Sequence, residues 1–379
     1  LYVLLSIVPM VAVGILGTIT SPLSVGMDQR RPHAYKLRQK VIKKNRGDHP
    51  HGPAQLAFQI LSLSGGGFLG LYTACVLAEL ESSAGRPLAS CFDLIAGTSV
   101  GGIIALGLAK GTSAEAIRDS FIKDGPQIFS VKRPPQNLVT KRLSLLDNAT
   151  RAKYLPGALR RTIENIVGKD SKIGDLTHRV MIPTVNLTKG SPQVFKTDHH
   201  PTFVRDWKVP IVDVALATSA APTFFPLHRI GGEMFADGGL YANSPDELAL
   251  HEAEYFLDQP RSGLSVLSVG TTTAKFSFSN SAETDLGWMG WMDNQRLPRV
   301  MIATQQLNAE FMMRHRLNDN YLRIDHQQSP EQERFLSLDG ASPGAIGDLR
   351  ALAESSVRDH LGKPILPTML RHSAPPPTF

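Results

Sequence analysis

Apolar residues in this chain come in short runs separated by glycine-, proline- and serine-rich breaks, and the runs alternate between a strand-like and a helical pattern. Phe58 to Ser62 reads as a strand, and Leu71 to Glu81 carries apolar residues at helical spacing before the break Ser82-Ser83-Ala84-Gly85. Phe92 to Gly97 predicts a second strand, with the helix Ile103 to Ala109 behind it. Ala114 to Lys123 predicts another helix, ended by Gly125-Pro126. Further along, Arg179 to Leu187 reads as a strand, Ile211 to Ala221 as a helix stopped at Pro222, Leu227 to Phe235 as a hairpin, and Leu264 to Gly270 as a buried strand. This order predicts an α/β fold with a largely parallel central sheet and helices on both faces. Ligands of such sheets bind at the carboxyl ends of the strands, where two glycine-rich turns fall.

The pattern weakens in three places. Residues 1–27 begin with Leu1 to Ile19, which holds no charge and is about as long as a membrane-spanning helix requires, although Pro9, Gly14 and Gly17 interrupt it. It reads either as an anchor or as a stretch upstream of a start at Met27. Lys132 to Lys153 is polar, basic and proline-bearing, and reads as an insertion. The tail, residues 361–379, contains Pro375-Pro376-Pro377 and is expected to be loosely ordered. Between linker and tail, residues 57–360 are expected to form one domain.

Composition narrows the picture. At 379 residues, with 42% hydrophobic and 20% charged residues, the chain can bury an ordinary core without staples. Eight of its 40 Lys and Arg lie between Arg30 and Arg46, inside the basic linker 28–56; the remainder holds 32 against 34 Asp and Glu. The high pI therefore belongs to one flank, which argues against a nucleic-acid-binding face spread over the fold. Basic residues just after an apolar span would keep that side cytoplasmic. Cys75 and Cys91 sit in apolar surroundings without metal-ligand spacing, so buried free thiols are expected, with no disulfide and no structural metal.

Candidate chemistry begins at Gly97-Thr98-Ser99-Val100-Gly101, between a strand and a helix. A sharp strand-to-helix turn leaves no room for side chains at Gly97 and Gly101 and presents Ser99 as a nucleophile, though the same glycines could serve only close packing. A second run, Gly65-Gly66-Gly67-Phe68-Leu69-Gly70, also fits the dinucleotide fingerprint G-x-G-x-x-G. That reading needs an acidic residue ending the next strand, and the next strand ends in Gly97-Thr98-Ser99 instead. Backbone N–H groups of Gly65, Gly66 and Gly67 can hold an oxyanion as readily as a phosphate. Asp237, followed by Gly238 and Gly239, is a candidate base, or simply a turn aspartate.

Together these segments resemble the patatin-like phospholipases. The resemblance rests on Gly65 to Gly70, Gly97 to Gly101, Ala220-Ala221-Pro222-Thr223-Phe224-Phe225-Pro226, and Asp237-Gly238-Gly239 followed by Asn243-Ser244-Pro245, in the family's order, within about residues 58–250. It implies a three-layer α/β sandwich and a carboxylic ester hydrolase that cleaves membrane phospholipids. It implies Ser99 as nucleophile, Asp237 as general base in a dyad, the Gly65 to Gly67 loop as oxyanion hole, and no cofactor for the chemistry. Leu69 departs from the family, which commonly has Arg or Lys there. Within the family the chain is similar to bacterial CapV-type enzymes, effectors of cyclic-oligonucleotide antiphage signalling (CBASS). That likeness implies a cyclic dinucleotide activator and a cytoplasmic enzyme acting at the inner membrane, while the oligomeric state stays open, a homo-oligomer included. Two rivals stand beside it. A Ser-His-Asp hydrolase would use a histidine such as His228, His315 or His326, whereas His199 and His200 read as surface loop residues. A non-catalytic nucleotide-binding module would use Gly65 to Gly70 alone.

Overall fold

The first apolar run forms strand β1 (Phe58–Leu63), every residue of which is buried. Burial on both faces explains why this strand reads as a nearly continuous apolar run rather than an alternating one. The computed structural model describes residues 58–129, 152–272, 284–287, 290–291 and 296–377. The apolar N-terminal segment, the basic linker and all but the last two residues of the Lys132 to Lys153 insertion lie outside these described residues.

From β1 the chain runs through α1 (Gly70–Ala84), β2 (Leu94–Gly97), α2 (Val100–Lys110), α3 (Ala114–Ile128), α4 (Pro156–Val167), β3 (Arg179–Asn186), β4 (Ser191–Lys196), α5 (Ile211–Thr218), β5 (His228–Ile230) and β6 (Glu233–Asp237). It continues through α6 (Gly239–Ala242), α7 (Asp246–Tyr255), β7 (Leu264–Val269), α8 (Arg296–Leu317), β8 (Tyr321–Ile324), α9 (Gln332–Phe335), α10 (Pro343–Leu361) and α11 (Ile365–Arg371). The described strands form one sheet in the order β5-β6-β3-β2-β1-β7-β8, with β4 also paired to β3. β1 pairs in parallel with β2 and β7, β2 with β3, and β7 with β8. Antiparallel pairing is confined to one flank, where β3 meets β4 and β6, and β5 meets β6.

Period-two alternation divides the strand side chains between two cores. Leu61, Leu63, Ile95, Leu267, Val269 and Ile324 face one core, packed with residues of α1, α2, α5 and α10. Phe58, Ile60, Leu94, Ala96, Leu264 and Val266 face the other, covered by Leu250 of α7 and Met313 of α8. The sheet is thus sandwiched between helices, as the element order predicts. Cys75 and Cys91 are both buried and free.

Three expectations need correction. α3 does not end at Gly125-Pro126 but continues to Ile128. A Cβ on Gly125 would fall 2.2 Å from the Phe68 ring, so this glycine serves close packing; burial of Ile128 holds the last turn despite the hydrogen bond that Pro126 cannot make. The tail is not loose throughout: α11 buries Leu366 and Met369 completely, and Ala374 N–H donates to Ser90 O. His199 is no surface residue either, because its ring is fully buried and pairs with Glu252 Oε1 at 3.0 Å. Among the described residues, no helix is long and apolar enough to cross a membrane.

Candidate active site

Between the end of β2 and the start of α2, Ser99 adopts φ 55 and ψ −124. Such a backbone in a residue with a side chain costs about 1–3 kcal/mol and persists only where its surroundings over-determine it. Those surroundings are visible. A Cβ on Gly97 would lie 2.2 Å from Gly101 O, and one on Gly101 would lie 2.4 Å from Leu63 O, so neither position accepts a side chain. Ser99 N–H donates to Thr218 Oγ1 at 3.0 Å, and the Thr218 hydroxyl donates on to Pro183 O at 2.7 Å.

Asp237 arrives from the other side, at the end of β6, where it registers with Thr184 of β3. Its own N–H donates to Ala220 O at 3.0 Å, just beyond α5. The Ser99 hydroxyl donates to Asp237 Oδ2 at 2.7 Å, and Gly239 N–H donates to Oδ1 at 2.6 Å. Asp237 is buried, and desolvation pushes its carboxyl up to about 6; the bonds from Gly239 and Ser99 pull it partway back. A Cβ on Gly238 would meet Pro183 O at 2.2 Å, which ties the turn after Asp237 closely to β3.

The Gly65 to Gly70 run opens α1 beside this pair, with its members in unequal positions. Gly65 N–H already donates to Asn243 O at 2.9 Å, so Gly65 is withdrawn from the expected oxyanion set. Its carbonyl accepts from Asn243 Nδ2 and Thr271 Oγ1, each at 3.1 Å. Gly66 and Gly67 line the cavity that holds Ser99 and Asp237, and neither N–H has a partner among the described residues. Gly67 has φ 57, and a Cβ there would strike Leu338 O at 2.2 Å. Gly70 packs on Val100, with a Cβ position 2.4 Å from its side chain.

Leu69 is buried in the core. A buried cation near the loop is Arg323, whose Nη1 lies 3.5 Å from Ser64 Oγ and 2.8 Å from Ser268 Oγ. Asp325 Oδ2 pairs with its Nη2 at 2.7 Å, and Asp246 accepts from Ser268, Ser62 and Tyr321 alongside it. With two carboxylates in the same cluster, Arg323 braces the base of the loop without adding net positive charge.

The shared cavity has a volume of about 310 Å³ and is predominantly apolar, walled by Phe68, Phe121, Phe129, Phe224 and Met301 among others. Phe129 stands edge-on to both Phe68 and Phe225, at ring centroid distances of 5.9 and 6.1 Å. No histidine among the described residues lines it. His228 pairs with Asp213 at 3.1 Å, and His315 lies exposed on α8 with Nδ1 against Phe311 O. Sequence reasoning missed Thr218 and Gln305, and had Asn243 only as part of the motif after Asp237; Gln305 bridges α8 to the site by donating to Gly239 O and accepting from Asn243 N–H. Among the described residues, no group of three His, Cys, Asp or Glu could hold a metal ion.

Set against known families, residues 61–250 match Patatin, described as patatin-like phospholipase. This chain belongs to that family. It is 40% identical to a cGAMP-activated phospholipase of Pseudomonas aeruginosa over 325 residues, covering 85% of this chain and 94% of the relative. It is also 40% identical to a cGAMP-activated phospholipase of Vibrio cholerae, covering 77% of this chain and 88% of that protein. Among solved structures, human GIVD cytosolic phospholipase A2 aligns with 13% identity and a TM-score of 0.40, covering 89% of this chain and 63% of the other. As a patatin-like phospholipase, the chain is a lipid ester hydrolase, and Ser99, Asp237 and the glycine loop all fall within or beside the matched stretch.

Proposed function

We propose that this patatin-like phospholipase is a phospholipase A-type acyl hydrolase that cleaves membrane phospholipid esters with a Ser99–Asp237 dyad in place of a triad. The observation that carries the reading is the 2.7 Å hydrogen bond from Ser99 Oγ to a buried carboxylate, set in an apolar cavity with no histidine among its described lining. A solvated aspartate is a weak base, but desolvation lifts Asp237 toward the working pH, where a carboxylate can take the hydroxyl proton. Ser99 Oγ attacks the ester carbonyl as its proton passes to Asp237. The oxyanion that forms is stabilised by the N–H groups of Gly66 and Gly67. Collapse expels the alkoxy oxygen with the proton from Asp237, leaving an acyl-enzyme, which water then hydrolyses by the same route. The apolar walls take the acyl chain.

We further infer that cGAMP switches the enzyme on, as the names of its Pseudomonas and Vibrio relatives state for those proteins, in the antiphage role that the resemblance implies. A fluorophosphonate probe tests the chemistry. Ser99 should be labelled in the native chain, with Ser99→Ala unlabelled and Asp237→Asn folded but inactive on phospholipid vesicles. Failure of Ser99 to label both with and without cGAMP would refute the dyad. Vesicle hydrolysis with and without cGAMP tests the switch, and turnover indifferent to the nucleotide refutes it while leaving the hydrolase reading intact.

A further inference from the structure

Ser219, the residue after α5, is 6% exposed, and its Oγ has no hydrogen-bond partner among the described residues. It lines the same cavity as Ser99 and Asp237. A buried hydroxyl without a partner weakens the fold, so its presence calls for an explanation in function. Its placement supplies one. The preceding residue, Thr218, receives Ser99 N–H, and the carbonyl of the following residue, Ala220, receives Asp237 N–H. Ser219 is therefore held between the anchors of both candidate catalytic residues. Its backbone is fixed as well, with its N–H on Ala215 O and its carbonyl taking Ala221 N–H. Of the other polar residues of the cavity, Asn243 is bonded to Gly65 O, and Thr223 is exposed where Ser219 is buried.

We propose that Ser219 is a third catalytic residue, whose hydroxyl donates a hydrogen bond to the ester's alkoxy oxygen as it departs and then orients the hydrolytic water that takes its place. The assignment rests on the Ser99 and Asp237 reading. With no histidine among the described residues of the cavity to turn between two oxygens, one carboxyl group must serve Ser99 Oγ and the leaving oxygen in succession, and a second donor at the leaving position complements the charge developing there. In acylation the carbonyl carbon to alkoxy oxygen bond breaks, its electron pair goes to that oxygen, and the proton comes from Asp237. In deacylation water gives its proton to Asp237, its oxygen bonds the carbonyl carbon, the bond to Ser99 Oγ breaks, and the proton returns to Ser99. Ser219 keeps its own proton throughout.

The test compares Ser219→Ala with the wild-type chain in three assays. Phospholipid turnover should fall by about 10²-fold in kcat, the usual effect of losing one well-placed donor. Fluorophosphonate labelling of Ser99 should stay near wild type, because fluoride departs without that help. The thermal midpoint should hold or rise, since an unpaired buried hydroxyl is removed. Ser219→Cys, of similar volume but a poor donor, should follow the alanine variant and serves in its place should that variant not fold. Turnover within about twofold of wild type in a labelled, folded variant overturns the role of Ser219 alone. Absence of labelling in the wild-type chain, with cGAMP present as well as without it, overturns the dyad itself, and this proposal with it.

Discussion

Replacing Asp237 with asparagine should abolish turnover while making the protein more stable at neutral pH. Folding moves this carboxyl from 3.8 to about 6, chiefly by desolvation. A difference of about two in pKa corresponds to about 3 kcal/mol, and no discount for solvent screening applies because the side chain is buried. The sign follows from linkage. Between pH 4 and 6 the folded state binds more protons than the unfolded state, so the free energy of unfolding falls as pH rises through that window. The penalty is complete above about pH 7 and absent below about pH 4. Asparagine keeps the shape: its Oδ1 can accept from Gly239 N–H and its Nδ2 can donate to Ser99 Oγ, with no charge to desolvate. Urea unfolding followed by tryptophan fluorescence at several pH values should show Asp237→Asn ahead by about 3 kcal/mol at pH 8, the gap closing toward pH 4. A gap that does not change with pH, or a variant less stable than wild type at pH 8, refutes the argument that burial of this charge destabilises the fold.

The proposed base role of the same carboxyl requires it to be ionised, so kcat/KM should rise with pH to half its plateau near 6 and stand at about a tenth of the plateau at pH 5, and a flat profile from 5 to 8 counts against that role. Thr218→Val removes the acceptor for Ser99 N–H and the donor to Pro183 O; a loss of about 1–3 kcal/mol in stability and of at least tenfold in kcat is expected, measured by denaturation and vesicle turnover. Alanine at His228, His315 or His326 should leave Ser99 labelling and hydrolysis within about threefold of wild type, and loss of acylation in any one of these folded variants would restore the Ser-His-Asp alternative. Gly97→Ala places a methyl 2.2 Å from Gly101 O and should yield little folded protein in expression and circular dichroism trials.

What could be read from sequence was what depends on neighbours in the chain. The turn around Ser99 is local, because two glycines and an apolar run on each side already demand a tight strand-to-helix connection. Asp237 was different: alone it resembled any turn aspartate, and only its order with the other motifs gave it a role. Thr218 carried no local signal, since it meets the Ser99 turn across 119 residues of sequence, and the motif that contains Asn243 did not show that its side chain reaches Gly65 O, 178 residues away. For Gly65, residue type shows that an N–H could be free, not where it is spent; here Asn243 O takes it. His199 beside His200 looked polar and superficial, yet its partner Glu252 lies 53 residues further on. The tail's proline run suggested disorder, although the preceding Leu366 and Met369 find a place in the core.

Ser99 and Asp237 are 138 residues apart and stand on different strands, yet both are referenced to the three residues Thr218 to Ala220 at the end of one helix. That stretch works as a jig. If the sheet flexes, the Ser99 hydroxyl and the Asp237 carboxylate shift together with their common mount, and the distance between them is preserved while the cavity around them changes shape. Grafting this chemistry onto another scaffold therefore means transplanting the mount along with the pair, since two side chains set at the right separation would lack the part that keeps them there.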